Sequence, residues 1–368
     1  MKKIYSFIFI FVFGFFINLL LQNDSEAIVC VTNADGAIQL TANGVAGTQE
    51  KNDGELAPFQ YPNGIIDDEF NSNFADQCNA EPLFYKMKVY KVALCTQDPY
   101  VASGLGNPRF ESCIDVLNNP SGKIVTIEKG VDGNDLLDGA ELVIPTGEYP
   151  YFLIILSNHL HVKHKQDYVN NDGTTGAKMW GNGDSTDAQR KTCYTTAVVT
   201  TITGEWAGDA TFQNAHLDLD GNAVTVVDSG QDGNARLKCV NDNSETDYDY
   251  ATEIIETFGE ANGNWNSNDV VARWPYAASS VGGGNKAAIL LQSDLETVAT
   301  NMENGVVLLY AVSLTNPLII TENTTQFNIG FGLSGSVSVD FTTLDGSDEF
   351  LLISKHGADP VDILFTAN

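Results

Sequence analysis

Apolar and polar side chains alternate with a period of two along much of this chain, and that period predicts strands. The most informative stretch is residues 141–162, ELVIPTGEYPYFLIILSNHLHV. It holds an apolar run, a turn, and then the longest apolar run beyond the N-terminal segment. Phe152, Ile154, Leu156, Leu160 and Val162 fall on one side, with Asn158 as the one polar member. Tyr151, Leu153 and Ile155 fall on the other, continued by Ser157, His159, His161 and Lys163. The pattern predicts a central strand buried on both faces at its start and on one face at its end. The run is too short and too irregularly bounded to cross a membrane.

Residues 84–95 predict a second strand. Residues 113–117 and 123–128 predict two more, joined by the hairpin turn Asn118-Asn119-Pro120-Ser121-Gly122. Residues 193–203 are β-branched, and 216–219 with 223–227 read as a hairpin around Asp220-Gly221. Short strands are expected at 306–314, 318–321, 327–333, 337–341, 350–353 and 361–365. One stretch departs from this period. Ala288, Leu291, Leu295, Val298 and Met302 recur at helical spacing before Asn304-Gly305, which predicts a helix over 286–302. The expected fold is all-β and mainly antiparallel, as two β-sandwich-like domains with one or two short helices.

Polar punctuation divides the chain. Residues 28–80 are rich in Gly, Asn and Asp and predict an extended arm with one or two short strands, partly pinned by Cys30 and Cys78. Residues 164–190 form a polar, glycine-rich loop and mark the expected boundary between a first domain (81–190) and a second (191–368). Val125 to Leu137 and Val224 to Leu237 echo one another in sequence, as related modules or as turn residues drawn from a small menu would.

The N-terminus has the form of an export signal. Lys2 and Lys3 precede an apolar run from Ile4 to Leu21, and Ser25-Glu26-Ala27 offers a small–any–small cleavage site. Residues 1–27 are therefore expected to be a signal peptide, with the working protein in the periplasm, at the cell surface or outside the cell and no membrane span in its mature chain. Six cysteines follow the leader: Cys30, Cys78, Cys95, Cys113, Cys193 and Cys239. An even number after an export signal predicts disulfides, and Cys95 with Cys113 is the pair that spacing favours. No C-x-x-C occurs. The net charge of −29 argues against nucleic acid and bare anionic membrane as partners and suits a salty or calcium-containing exterior.

Calcium is the cofactor the loops suggest. Gly130-Val-Asp132-Gly133-Asn134-Asp135-Leu-Leu-Asp138-Gly139 resembles one copy of the nonapeptide of calcium-binding repeat-in-toxin proteins. Closely spaced carboxylates and glycine-permitted turns can supply the six to eight hard oxygens calcium takes. The resemblance covers about ten residues, lacks the stacked copies such rolls need, and implies no fold; a partial echo brings in Asp232 and Asn234. His159 and His161 project from one face of a strand, as a transition-metal site would require, or else form a solvated strand end.

Trp180 and Trp265 sit in Gly/Asn loops, where an indole can stack on a sugar ring or fold back as an anchor. Ala278-Ser279-Ser280-Val281-Gly282 is a variant nucleophile elbow, with His356 as the only downstream histidine. Nothing in the chain provides a full catalytic set around it. The expectation is an exported, non-catalytic structural or adhesive surface protein with a protein or glycan partner, self-assembly included. Its arm would add a strand to a neighbour's sheet. The alternatives are a soluble, calcium-assisted glycan- or protein-binding module and a serine hydrolase using Ser280.

Overall fold

A computed structural model describes residues 30, 32, 34–40, 49–50, 56–57, 77–99, 107–131, 143–170, 192–202, 206–227, 237–240, 246, 248–257, 277–278, 284–324, 327–333, 335–343, 351–358 and 361–367. The strands run in chain order as β1 Ile38–Leu40, β2 Gln49–Glu50, β3 Leu56–Ala57, β4 Gln77–Ala80, β5 Phe84–Cys95 and β6 Cys113–Glu128. They continue as β7 Gly147–Ser157, β8 His159–Lys163, β9 Lys165–Asn170, β10 Thr192–Thr195 and β11 Val199–Thr201. The helix α1, Ala210–Ala215, comes next. Then follow β12 Leu237–Val240, β13 Ala251–Ile254, β14 Ala277–Ala278, β15 Gly284–Leu291 and β16 Val307–Ile320. The last are β17 Phe327–Gly332, β18 Val337–Thr343, β19 Leu351–Ala358 and β20 Asp362–Ala367. The described residues are mostly strand, in several mainly antiparallel sheets, with one short helix.

The run from β7 to β8 is the centre of a nine-stranded sheet. β5 pairs along its length with β6, and on its other side with β7 and then β8. Beyond β7 lies β16, then β15; beyond β8 lies β13, then β11 in parallel. Strands from both sides of the boundary expected at 164–190 thus share one sheet. The split between the two outer neighbours falls at Asn158. Its side-chain amide donates to Ile255 O at 3.0 Å and to Gly305 O at 2.9 Å, satisfying a carbonyl at each broken end. The polar residue in the apolar row is therefore a staple at the fork of the sheet.

Period two places the β7 side chains in two separate cores. Phe152, Ile154 and Leu156 pack in one, joined by Leu160 and Val162 from β8; Leu153 and Ile155 pack in the other with Ile289, Leu291, Leu309 and Ala311. Full burial of each such side chain contributes roughly 1.5–3 kcal/mol.

Two expectations are corrected. Residues 286–302 are not a helix. Ala287–Leu291 is also a continuous apolar run of strand length, and it pairs with β16 so that Ile289 and Leu291 enter one core while Leu290 enters the other. The run ends where Asp294 Oδ1 accepts from the N–H groups of Glu296 and Thr297, and Leu295 takes a φ of 68°. Residues 118–122 are not a hairpin turn. β6 is one strand, and residues 119–122 bulge out opposite Tyr90, between the Lys91–Asn118 and Val89–Lys123 pairs. The described arm strands also pair within the chain: β1 with β9, and β4 with β18. The one described helix is α1, capped by Asp209, whose carboxylate accepts from Thr211 N and Phe212 N.

Candidate functional site: buried histidines and a lysine–tyrosine face

All five histidines of the chain are buried, none more than 5% exposed. The expected solvated end of the central strand is therefore corrected: His159 and His161 lie under a cover made by residues 206–227. That cover carries α1, whose Phe212 is fully buried and stacks on Trp206 at 4.7 Å and on His216 at 4.0 Å. It continues through a turn at Asp218–Asn222, where Leu217 bridges Ala223 and Gly221 has a φ of 87°. A turn does fall at Asp220-Gly221, but 216–219 and 223–227 are joined by that single bridge and form no strands. Val224 and Val226 then return to the core.

His216 links the cover to the sheet. Its Nε2 lies 3.2 Å from Met302 O, and its Nδ1 lies 3.2 Å from His159 Nε2. A carbonyl only accepts, so His216 Nε2 carries the hydrogen, and the neutral ring presents the Nδ1 lone pair to His159. His159 Nε2 must then donate, which leaves His159 Nδ1 a bare, buried lone pair with no partner among the described residues. His161 Nδ1 lies 2.7 Å from Thr252 Oγ1, and its Nε2 is likewise without a partner. On the far side of the junction, His356 Nε2 lies 2.8 Å from Tyr168 Oη, and the His164 and His356 rings meet edge-on at 5.0 Å.

Burial holds every one of these imidazoles neutral. His161, His164 and His216 are lowered to about 4 by desolvation. The Lys86 ammonium adds to the lowering at His161, and the Asp218 carboxylate opposes it. For His164, the Lys129 ammonium lowers it further and the Gln166 side chain opposes this. His159 and His356 are lowered well below the ordinary value, by burial first and then by neighbouring histidines. His159 and His161 do share a face, but they point at different partners. No three His, Cys, Asp or Glu side chains among the described residues are placed to hold a metal ion.

A second feature lies further along that same strand face. Lys86 Nζ sits 3.9 Å from the centre of the Tyr250 ring, and Lys163 Nζ sits 6.0 Å from Tyr250 and 4.9 Å from Tyr248. Tyr248 meets Tyr194 at 6.3 Å, and Lys238 Nζ lies 5.9 Å from Tyr194. The result is a continuous ladder of ammonium groups and rings across β5, β8, β10 and β12. Neither Lys86 nor Lys163 has a carboxylate within ion-pair distance among the described residues, although the chain holds 48 acidic side chains against 19 Lys and Arg.

Two disulfides brace directly opposed strands. Cys95 and Cys113 are partners across β5 and β6, and Cys193 and Cys239 across β10 and β12. The Cys95–Cys113 pairing is the one spacing favoured. Cys30 is disulfide-bonded too, and its N–H donates to Asn79 O next to Cys78 in β4. These bonds fit an oxidising, exported location. No helix among the described residues is long and apolar enough to cross a membrane.

Asp132, Asn134, Asp135, Asp138, Asp232, Asn234, Trp180, Trp265 and Ser280 lie outside the described residues. His356, which a hydrolase would need beside Ser280, is buried against Tyr168 and His164. The sequence reading missed His216, Thr252, Tyr168 and the tyrosines of the ladder. Tyr168 sits in the stretch 164–190 expected to be loop, and nothing local to any of these residues says what its side chain faces. No family model, no curated protein and no solved structure matches the chain.

Proposed function

We propose that this is an exported, non-catalytic structural or adhesive protein that works at a cell or appendage surface, with its sheets packed as sandwich-like layers. The observation that carries this reading is the Lys86–Tyr250–Lys163–Tyr248 ladder. On a chain of net charge −29, cations that stand on rings rather than on carboxylates make a contact surface, not a reaction centre. Rings and ammonium groups together suit an anionic surface polymer, a glycan bearing carboxylate or sulfate groups. Disulfides across paired strands suit a protein that must hold its shape outside the cell.

The test has two arms. Fractionation of the native source is expected to find the protein in the surface or extracellular fraction; a cytoplasmic location would sink the reading. Affinity electrophoresis through a sulfated polysaccharide is expected to retard the protein at low salt. The double variant Lys86→Glu/Lys163→Glu is expected to migrate unretarded while keeping its far-UV circular dichroism. Equal retardation of both proteins would remove the ladder from the explanation.

A further inference from the structure

We infer that the segment 206–227 is an acid-operated cover, held shut over the central strand by the neutral His159–His216 pair and released when that pair takes a proton. Three observations carry the inference. The cover's side chains reach the core through Phe212, His216, Val224 and Val226. Among the described residues its backbone meets the sheet only at its end, where Val226 bridges Val199 and Val227 N–H donates to Val199 O. The polar tie in its middle is the relay from His159 through His216 to Met302 O.

That relay has room for one hydrogen per contact and no more. A proton added to His216 must go to Nδ1, because Nε2 already donates to Met302 O. The 3.2 Å contact holds one hydrogen, so His159 then accepts from His216 at Nε2 and carries its own hydrogen on Nδ1. A proton added to His159 must go to Nδ1, which has no acceptor within reach. Either way a buried charge arises with an N–H at His159 Nδ1 that no acceptor meets, and the cost is relieved only when the rings separate into water.

The groups around the pair offer no rescue. His161 on β8 and Lys86 on β5 are neutral or positive. Thr252 on β13 already contacts His161. Glu253, the next residue on β13, gives its carboxylate to Ala358 N–H at 2.9 Å. On the cover itself, Asp218 holds the N–H groups of Asp220 and Asn222, and Asp209 those of Thr211 and Phe212. Lys163 and Tyr250 continue the same face toward the ladder. Acid therefore acts on the cover, and opening exposes the β8–β13 face with His159, His161 and Thr252.

Hydrogen–deuterium exchange of the intact protein, corrected for the intrinsic pH dependence, tests this at pH 7.5 and pH 5. A shift of His216 from about 4 when closed to about 6.5 when open raises opening of 206–227 about 30-fold at pH 5. Amides of β5, β7 and β16 are expected to stay better protected than those of 206–227 at both pH values. His216→Phe, which keeps a ring beside Phe212 and removes the proton acceptor, is expected to bring that ratio down at least tenfold. His159→Leu serves in its place where the first variant fails to fold. The inference is overturned if wild-type exchange in 206–227 does not change with pH, if the folded variant keeps the full acid response, or if 206–227 is no less protected than β5, β7 and β16 at pH 5.

Discussion

Tyr168 Oη lies 2.8 Å from His356 Nε2, and this contact joins β9 of the four-stranded sheet to β19 of the three-stranded sheet across 188 residues of chain. Both side chains are buried, and burial raises the Tyr168 hydroxyl well above its ordinary range, so it stays a neutral donor or acceptor. Tyr168→Phe removes one oxygen and leaves His356 Nε2 unpaired, beside an Nδ1 that already has no partner. The expected loss is about 1–3 kcal/mol of unfolding free energy, since the uncompensated desolvation of the imidazole remains. Urea denaturation with an unchanged m-value would show it; a midpoint equal to wild type would mean that water or another group takes over the contact.

Asn158 makes a sharper case because both of its donors are used. Asn158→Leu keeps the volume and strands the carbonyls of Ile255 and Gly305. A loss of about 2–4 kcal/mol is expected from two buried unsatisfied acceptors. Asn158→Asp is expected to be worse at neutral pH, because it sets a carboxylate against those same carbonyls. The order wild type, Leu, Asp in urea midpoint is the observable. The reverse order of the two variants would mean that water enters the fork and solvates the charge.

Acid should destabilise the whole fold as well as its cover. The unfolded chain takes protons on histidine near 6.5, whereas folded His161, His164 and His216 take them only at about 4. Below 6.5 the unfolded state thus binds more protons, and stability falls as the pH falls, until the folded groups titrate too. Each group removes about 2 kcal/mol between pH 7.5 and pH 5, and His159 and His356 act in the same direction. Three such groups already match the lower end of a typical domain's stability. The urea midpoint is expected to drop steeply from pH 6.5 to pH 5 and to be flat from pH 7 to pH 8. A flat profile down to pH 5 would mean that these rings ionise freely in the folded protein.

The strand content of this fold was legible because burial on a pleated surface imposes period two on β5 and β7, and their residues say so directly. The helix expected at 286–302 failed for a physical reason: a five-residue apolar run fits either period, and the partner strand β16, distant in the pattern, decided between them. The turn expected at 118–122 failed because Pro120 and Gly122 serve a bulge as well as a hairpin. His159 and His161 were visible as a pair. What buries them is a segment some 50 residues away, and no local pattern on β8 distinguishes solvent from a cover. The lysine–tyrosine ladder was hidden similarly, since Tyr194 comes from β10 while Tyr248 and Tyr250 come from the residues just before β13.

The two disulfides should differ in what their loss costs. Cys95–Cys113 closes a separation of 18 residues and Cys193–Cys239 one of 46. The entropy removed from the unfolded chain grows slowly with loop length, which gives about 3 kcal/mol for the first and about 4 kcal/mol for the second. Paired Cys→Ser variants, compared by thermal melting, are expected to rank in that order. A larger loss at Cys95–Cys113 would show that the β5–β6 edge depends on the bond within the folded state.

Gly122 and Gly221 separate backbone strain from crowding. Both take a positive φ, 74° and 87°, which costs a substituted residue about 1 kcal/mol. A Cβ on Gly221 meets nothing within 4 Å, so Gly221→Ala should cost about that much and no more. A Cβ on Gly122 would lie 2.6 Å from Lys88 Cε, 2.7 Å from Lys88 Cγ and 2.9 Å from Tyr90 Cε1. The β6 bulge folds back over β5 there, so Lys88 and Tyr90 must both move. Gly122→Ala is therefore expected to cost about 2 kcal/mol or more, as backbone strain and overpacking add. Equal melting temperatures for the two variants would mean that Lys88 swings clear without penalty and that the bulge does not press on β5.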